Sequence, residues 1–503
     1  MRITRNSVAA LTAAAALAAG AVGCSKDLTS LNVNPNQPTS APATALFTNA
    51  TVTTVGRFNG SFQTLSMTEL FAQHIAQVQY IDEDRGHIRS GTISALFSGA
   101  YASELEDLQK IIGQGQAAKA AGIYGPAQVM QSWVFQQVTD SWGDVPYSEA
   151  LKGDIPGTSF QPKYDTQKDI YYGLLKTLTD ASSALKSATD AGLGSADPIY
   201  KGSAAQWVKF ANSLRARLAM RMSKADPTKA DAELRAAIAA GLMTSNADNA
   251  QLNWPGDGVF DNPWAANFAG RDDHRVSKTL LDTMITLSDP RVKIYAQPTK
   301  ADPNVYAGLQ NGLDNATASG ALFNTTSRPG AIFYPGTTVY GTFGTSAGRK
   351  TPNYLQTYAE VQFILAEAAE RGMAGLSAGA AAGYYNAGVR ASITQWGGSN
   401  ADADAYLARN GVAYRGGAQG LQQIGLQKWI SEFTQGLEAW SEWRRTGNPA
   451  TIKPGPKQYP DVPGVPRRLL YSSDEQSVNL QSLNDAIARQ GADSYLTRVW
   501  WDK

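Results

Sequence analysis

Across most of its length this chain repeats apolar side chains three or four positions apart, the spacing that gathers them on one face of an α-helix. In Phe62 to Tyr80 the residues Leu65, Phe71, Ile75 and Val78 predict a first helix, and Ser94 to Ala120 a second. Pro126 suits a helix start, and Val129, Trp133, Val134 and Val138 then mark Gln128 to Asp140 before Gly143 and Pro146 end the pattern. Ile170, Leu174, Leu178, Ala181 and Leu185 form a stripe within Gln167 to Ser187, and Trp207, Ala211, Leu214, Leu218 and Met222 form another. A second helical pair is expected at Tyr354 to Arg371 and Ala378 to Trp396, turning at Gly372 to Gly375. Leu426, Ile430, Phe433, Leu437 and Trp440 predict one further continuous helix.

Repeated helical hairpins suggest tetratricopeptide-like stacking, in which each pair buries its apolar face against its neighbours. The expected fold is therefore mainly α, although no repeat of roughly 34 residues is legible. Two long irregular stretches interrupt it, at about 244–276 and 297–353, rich in Gly, Asn, Pro and Thr. Loops this long are usually functional or disordered. Their aromatics, Trp254, Phe260, Trp264, Phe333, Tyr334, Tyr340 and Phe343, predict ordered excursions able to bind a ligand.

The N-terminus adds a targeting signal. Arg2 and Arg5 precede an apolar run from Val8 to Ala19 that is too short to span a bilayer, so residues 1–23 read as a signal peptide. Ala21-Val22-Gly23-Cys24 has the form of a lipoprotein cleavage site, with Ala21 where Leu is usual, and Cys24 is the only cysteine of the chain. Cys24 is expected to be lipidated, and several acyl chains would hold the protein at a membrane without spanning it. Residues 24–44, rich in Asn, Pro, Ser and Thr, read as a flexible tether, and residues 45–503 as a single domain.

Charge and composition narrow the partners. With 44 basic and 43 acidic residues there is no long-range field to attract nucleic acid, and neutral ligands suit the surface better. With Cys24 committed to lipid, no disulfide or zinc-thiolate site is expected. Eleven Trp and twenty-one Tyr, beside many amides and hydroxyls, resemble a surface built for sugar or peptide contact.

Several ordered stretches resemble the SusD/RagB family of nutrient-binding outer-membrane lipoproteins. Leu31-Asn32-Val33-Asn34-Pro35-Asn36 is similar to the family's opening, and Asp140-Ser141-Trp142-Gly143-Asp144-Val145-Pro146-Tyr147 to its most distinctive signature. Ala205-Gln206-Trp207, Phe210 to Leu214 and Arg217 to Arg221 are similar to its central helix, and Tyr358 to Val361 with Ala366 to Ala368 to the next one. Gly436 to Trp440, Trp443 to Gly447 and the closing Arg498-Val499-Trp500-Trp501-Asp502 complete the series. The resemblance implies tetratricopeptide-like hairpins on one side and a ligand face of loops on the other. It also implies a SusC-like TonB-dependent outer-membrane transporter as partner, to which the protein delivers an oligosaccharide or peptide.

For capture of such a ligand, aromatic faces can cover the C–H face of a sugar ring while amides and carboxylates satisfy its hydroxyls. Trp254, Trp264, Tyr334 and Tyr340 are expected to supply the platforms, helped by Asn253, Asp257 and Asn262. Trp142, Tyr147 and the Glu438, Arg444, Arg445 group are expected to be structural. Asp82, Glu83 and Asp84 lack a complete calcium-loop pattern and read as a solvated turn. His74, His87 and His274 show no metal-ligand spacing, so no metal or cofactor is expected. An alternative is a glycoside hydrolase with two carboxylates about 5 to 9 Å apart, but no nucleophile motif such as GxSxG is present and no catalytic residue is assigned. A structural surface lipoprotein without ligand is the third reading.

Overall fold

The computed structural model describes residues 41–503, and Ala43–Lys503 form one contact unit. The expected signal peptide, Cys24 and nearly all of the expected tether lie outside the described residues. The helices of eight or more residues are α1 Ala43–Phe58, α2 Ser90–Gly99, α3 Glu106–Ala117, α4 Ala121–Trp142, α5 Gln167–Lys186, α6 Ala204–Arg221, α7 Pro227–Ala240, α8 Pro263–Gly270 and α9 Lys278–Leu287. They continue as α10 Tyr358–Glu370, α11 Ala381–Gln395, α12 Asn400–Leu407, α13 Gly417–Ser431, α14 Gly436–Thr446 and α15 Leu480–Gln490.

Sequential helices pack on one another from α3 through α7, and again from α10 to α12, with α13 returning against α10. Local chemistry starts several of them. Thr166 accepts the Asp169 amide at α5, Ser203 the Gln206 amide at α6 and Thr357 the Glu360 amide at α10. The apolar stripes of α5 and α6 are buried along their length, and Gly372, at φ 67°, turns the chain between α10 and α11. The molecule is mainly α, with hairpins stacked in the expected manner.

Three expectations are corrected. Phe62 to Tyr80 is not one helix: a π-helical turn at Thr64–Thr68 and a short helix at Glu69–Phe71 give way to a strand, β1, at Ile75–Gln77. β1 pairs antiparallel with His274–Val276, and all three of its residues are buried, so the local apolar spacing could not distinguish helix from strand. Pro126 lies inside α4, which begins at Ala121, and does not start the helix. The stripe from Leu426 to Trp440 is divided between α13 and α14 by a turn in which Thr434 takes φ 77°.

The two irregular excursions are ordered against each other. Ala250–Leu252 pairs with Asn353–Gln356, joining the first excursion to the end of the second. The Asn262 amide donates to Arg349 O at 2.8 Å, and the Val339 amide to Ala269 O at 3.0 Å. Pro335–Thr338 and Gly341–Gly344 form a hairpin that packs on α8. Together they build a non-repetitive lobe.

Candidate functional site

Of the seven residues expected to meet ligand, four serve the inside of this lobe, and that expectation is corrected for them as exposed groups. Trp264 is 1 % exposed; its indole N–H donates to Thr64 Oγ1 at 3.0 Å and its ring packs against Phe333 and Phe433. Tyr334 is also buried and stacks on Phe268 at 4.4 Å between centroids. Trp254 is buried and donates to Asn353 Oδ1 at 2.7 Å. Asn262 caps α8, accepting the Trp264 amide at 2.9 Å while donating to Thr351 O at 2.8 Å. The physical reason is area: a loop gains more order from burying a Trp or Tyr against the fold than from leaving it in water.

The other three stand on the surface. Tyr340, at the hairpin tip, is 48 % exposed. Asn253 is exposed and accepts from Gln251 at 2.9 Å. Asp257 spends one oxygen on its own turn, accepting the Phe260 amide at 2.8 Å and the Val259 amide at 2.9 Å; these bonds lower its pKa. The turn leaves Phe260 half exposed and Val259 largely so.

Two exposed residues outside the expected set form a pair at the rim of the lobe. Tyr80 is 58 % exposed and held at φ 54°, a conformation rare for a non-glycine residue. The Arg271 guanidinium lies 4.8 Å from the centre of the Tyr80 ring. Asp273 fixes it through bonds at 2.7 and 3.0 Å, which raise its pKa, and Tyr340 is near enough to add to that shift. Tyr80 and Arg271 thus place an accessible ring against a guanidinium whose Nε and Nη2 are held by Asp273. The sequence signal for Arg271 was the charge run Arg271-Asp272-Asp273 after Gly270, whereas Tyr80 was masked by the helical reading of its segment.

The remaining candidates are structural. Asp84 is buried, accepting from Asn311 Nδ2 at 2.6 Å and the Gly312 amide at 3.0 Å, and burial pushes its carboxyl up to about 6. Only Asp82 of the acidic run is solvent-facing, so the expected solvated turn is corrected. His74 bridges Glu69 and Trp429 O at 2.8 and 2.9 Å, and His87 meets Asp461 at 2.9 Å. His274 is buried, and loss of solvent pulls its pKa down to about 4. Among the described residues no group of three His, Cys, Asp or Glu side chains is placed to hold a metal ion.

With this architecture in view, similarity to known proteins is decisive. A SusD-like family model, described as starch-binding associating with outer membrane, matches residues 35–472. This chain belongs to the SusD-like family. Among solved structures it is similar to a chitin-binding protein, with 29% identity and a TM-score of 0.79 over 92% of this chain and 100% of that one. It is also similar to a chitin-binding SusD homolog from Flavobacterium johnsoniae, with 26% identity and a TM-score of 0.79 over 92% and 98% of the two chains. A SusD homolog from Bacteroides uniformis ATCC 8492, at 24% identity and TM-score 0.78 over 92% and 100%, shares the fold. No curated protein matches the sequence.

The SusD-like signature segments meet in the core. Trp142 is fully buried and donates to Leu470 O at 2.7 Å, while Tyr147, half-buried, packs edge-on against Phe135. Arg445 bridges Glu442 at 2.7 Å and Glu367 at 2.5 Å, and Arg444 lies 3.6 Å over the Trp440 ring. Burial opposes ionisation of Glu438, but Arg217, Arg221 and Lys428 outweigh it and pull its carboxyl down to about 2. These SusD-like residues hold helices together. Among the described residues, no helix is long and apolar enough to cross a membrane.

Proposed function

We propose that this SusD-like protein is a lipid-anchored outer-membrane protein that captures an oligosaccharide on the rim of its irregular lobe and passes it intact to a SusC-like TonB-dependent transporter. The observation that carries the reading is the Tyr80–Arg271 pair, in which a ring 58 % exposed lies against a guanidinium anchored by Asp273, with the 48 % exposed Tyr340 near enough to Arg271 to contribute to its raised pKa. Such rings cover the apolar face of a sugar and the guanidinium donates to its hydroxyls, which orients a ligand without chemistry. The two structures named as chitin-binding, which this chain matches over nearly its whole length, make chito-oligosaccharides the first ligands to test.

The test is isothermal titration of the full chain with chito-oligosaccharides, against Tyr80→Ala and Tyr340→Ala. Each substitution is expected to weaken binding by about tenfold, since losing one aromatic platform removes on the order of 1.4 kcal/mol. Unchanged affinity in both variants would overturn the assignment of the rim. New reducing ends during incubation would overturn capture without cleavage. Recovery of a TonB-dependent barrel with the membrane-bound protein checks the transporter, and loss of membrane attachment in Cys24→Ser checks the anchor.

A further inference from the structure

The strands Val145–Pro146 and Tyr164–Asp165 are joined by a long excursion that forms one wall of a surface groove of about 480 Å³, lined by none of the rim residues described above. That volume lies within the range of small-ligand sites. Its floor is preformed. Tyr101 donates to Pro146 O at 2.6 Å, Gln161 to Val478 O at 2.9 Å and Asn479 to Pro162 O at 2.8 Å, which ties the excursion to the helical body. Phe97 is buried beneath, Tyr101 is partly exposed, and Phe160 at the mouth is 84 % exposed. A phenyl ring left so largely in water, at the edge of an apolar floor, gains contact area only when something fills the groove.

The charges of the lining point to the sign of that occupant. Glu149 accepts a backbone N–H, from Lys163 at 3.1 Å, and Glu475 accepts the Tyr164 hydroxyl at 2.6 Å. Both donors are neutral, so neither bond cancels a carboxylate charge, while burial raises the pKa of Glu475 and leaves Glu149 as the more exposed of the two. Glu106 is matched by Lys110 at 3.2 Å, and Lys152 donates to the neutral Ser148 O at 2.7 Å and keeps its own charge, so three carboxylates of the lining stand against one lysine. The groove therefore combines apolar walls with an excess of acceptor charge.

We infer that this groove is a second binding site, taking a short ligand that carries a bulky apolar group beside a cationic nitrogen, the chemistry of a basic-hydrophobic dipeptide. The apolar group inserts between Phe160 and Tyr101, and the cation meets Glu149 and Glu475. The site does not depend on the glycan reading of the rim, and either can fail without the other.

Titration of the full chain with N-acetyl-phenylalanyl-lysine amide and N-acetyl-phenylalanyl-glutamate amide, which differ in the charge beside the ring, tests it. The lysine dipeptide is expected to bind saturably and to weaken as ionic strength rises, with the glutamate dipeptide at least about fivefold weaker. Phe160→Ala and Glu149→Gln replace exposed side chains, so both variants retain the fold, and each is expected to weaken the lysine dipeptide about three- to tenfold. Equal binding of the two dipeptides, absence of saturable binding, or affinity unchanged in both variants would overturn the inference. Displacement of the lysine dipeptide by a neutral chito-oligosaccharide would overturn its ligand class, whereas Tyr340→Ala is expected to leave dipeptide binding unchanged.

Discussion

Trp501 donates its indole N–H to the Asp140 carboxylate at 2.9 Å, joining residues 361 positions apart in the chain. The other Asp140 oxygen accepts from Arg221 at 2.8 Å, and the Asp140 carbonyl accepts from Arg444 at 2.7 Å. One buried carboxylate thus unites three of the family's most distinctive segments.

Replacing Asp140 by Ala leaves the Arg221 guanidinium buried with less compensating charge, which costs about 3–5 kcal/mol. Trp501→Phe removes the indole donor and part of a fully buried ring that Arg221 and Arg444 contact, while the acceptor keeps its other partners, and is expected to cost about 1–3 kcal/mol. Urea denaturation of the two variants measures both. An Asp140→Ala loss no larger than that of Trp501→Phe would contradict the central place given to this carboxylate.

Asp84 sets an acid response. Its carboxyl is raised from 3.8 in the unfolded chain to about 6 in the fold, because burial disfavours the charged form. The folded state therefore holds a proton that the unfolded state has released, and this group's contribution to stability increases as pH falls from about 6 towards 3.8. The expected gain over that window is on the order of 1–3 kcal/mol. Asp84→Asn should flatten it, seen by comparing thermal midpoints of the two proteins across the same pH range.

Trp264 and Tyr340 were expected to act alike, and the structure separates them. Trp264→Ala empties a packed site and is expected to cost about 3–5 kcal/mol. Tyr340→Ala, on the surface, should change stability by less than about 0.5 kcal/mol while weakening glycan capture. Denaturation midpoints read beside titration distinguish the two, and a stability loss of equal size in both would refute the separation.

Thr434, a β-branched residue at φ 77°, breaks the helical stripe between α13 and α14. Left-handed backbone costs such a residue roughly 1–2 kcal/mol, of which the greater unfolded freedom of glycine returns about half. Thr434→Gly should therefore raise the urea midpoint by the equivalent of about 0.5–1 kcal/mol. A lower midpoint would show that the threonine methyl or hydroxyl contributes more than the strain removes.

The stripes of α5 and α6 were legible because each helix buries one face against its neighbours and carries its own cap, Thr166 or Ser203. The π-turn and strand that replace a helix over 64–77 were not. β1 owes its form to His274–Val276, nearly 200 positions further on, and no local period registers such a partner. The rim was half legible. Tyr340 lies in a stretch whose composition marks a binding loop, but Tyr80 and Arg271 become neighbours only when β1 and the segment after α8 are brought together.

Local spacing and capping chemistry, written in the sequence itself, determined that this protein is a stack of amphipathic helices interrupted by two aromatic-rich excursions. Which of those aromatics turn inward and which stay on the surface was decided by tertiary structure alone. Pairing of Ala250–Leu252 with Asn353–Gln356 closes the lobe around Trp254, Trp264 and Tyr334, while the hairpin tip leaves Tyr340 outside. A side chain's burial depends on what the distant chain places over it, and periodicity carries no information about that.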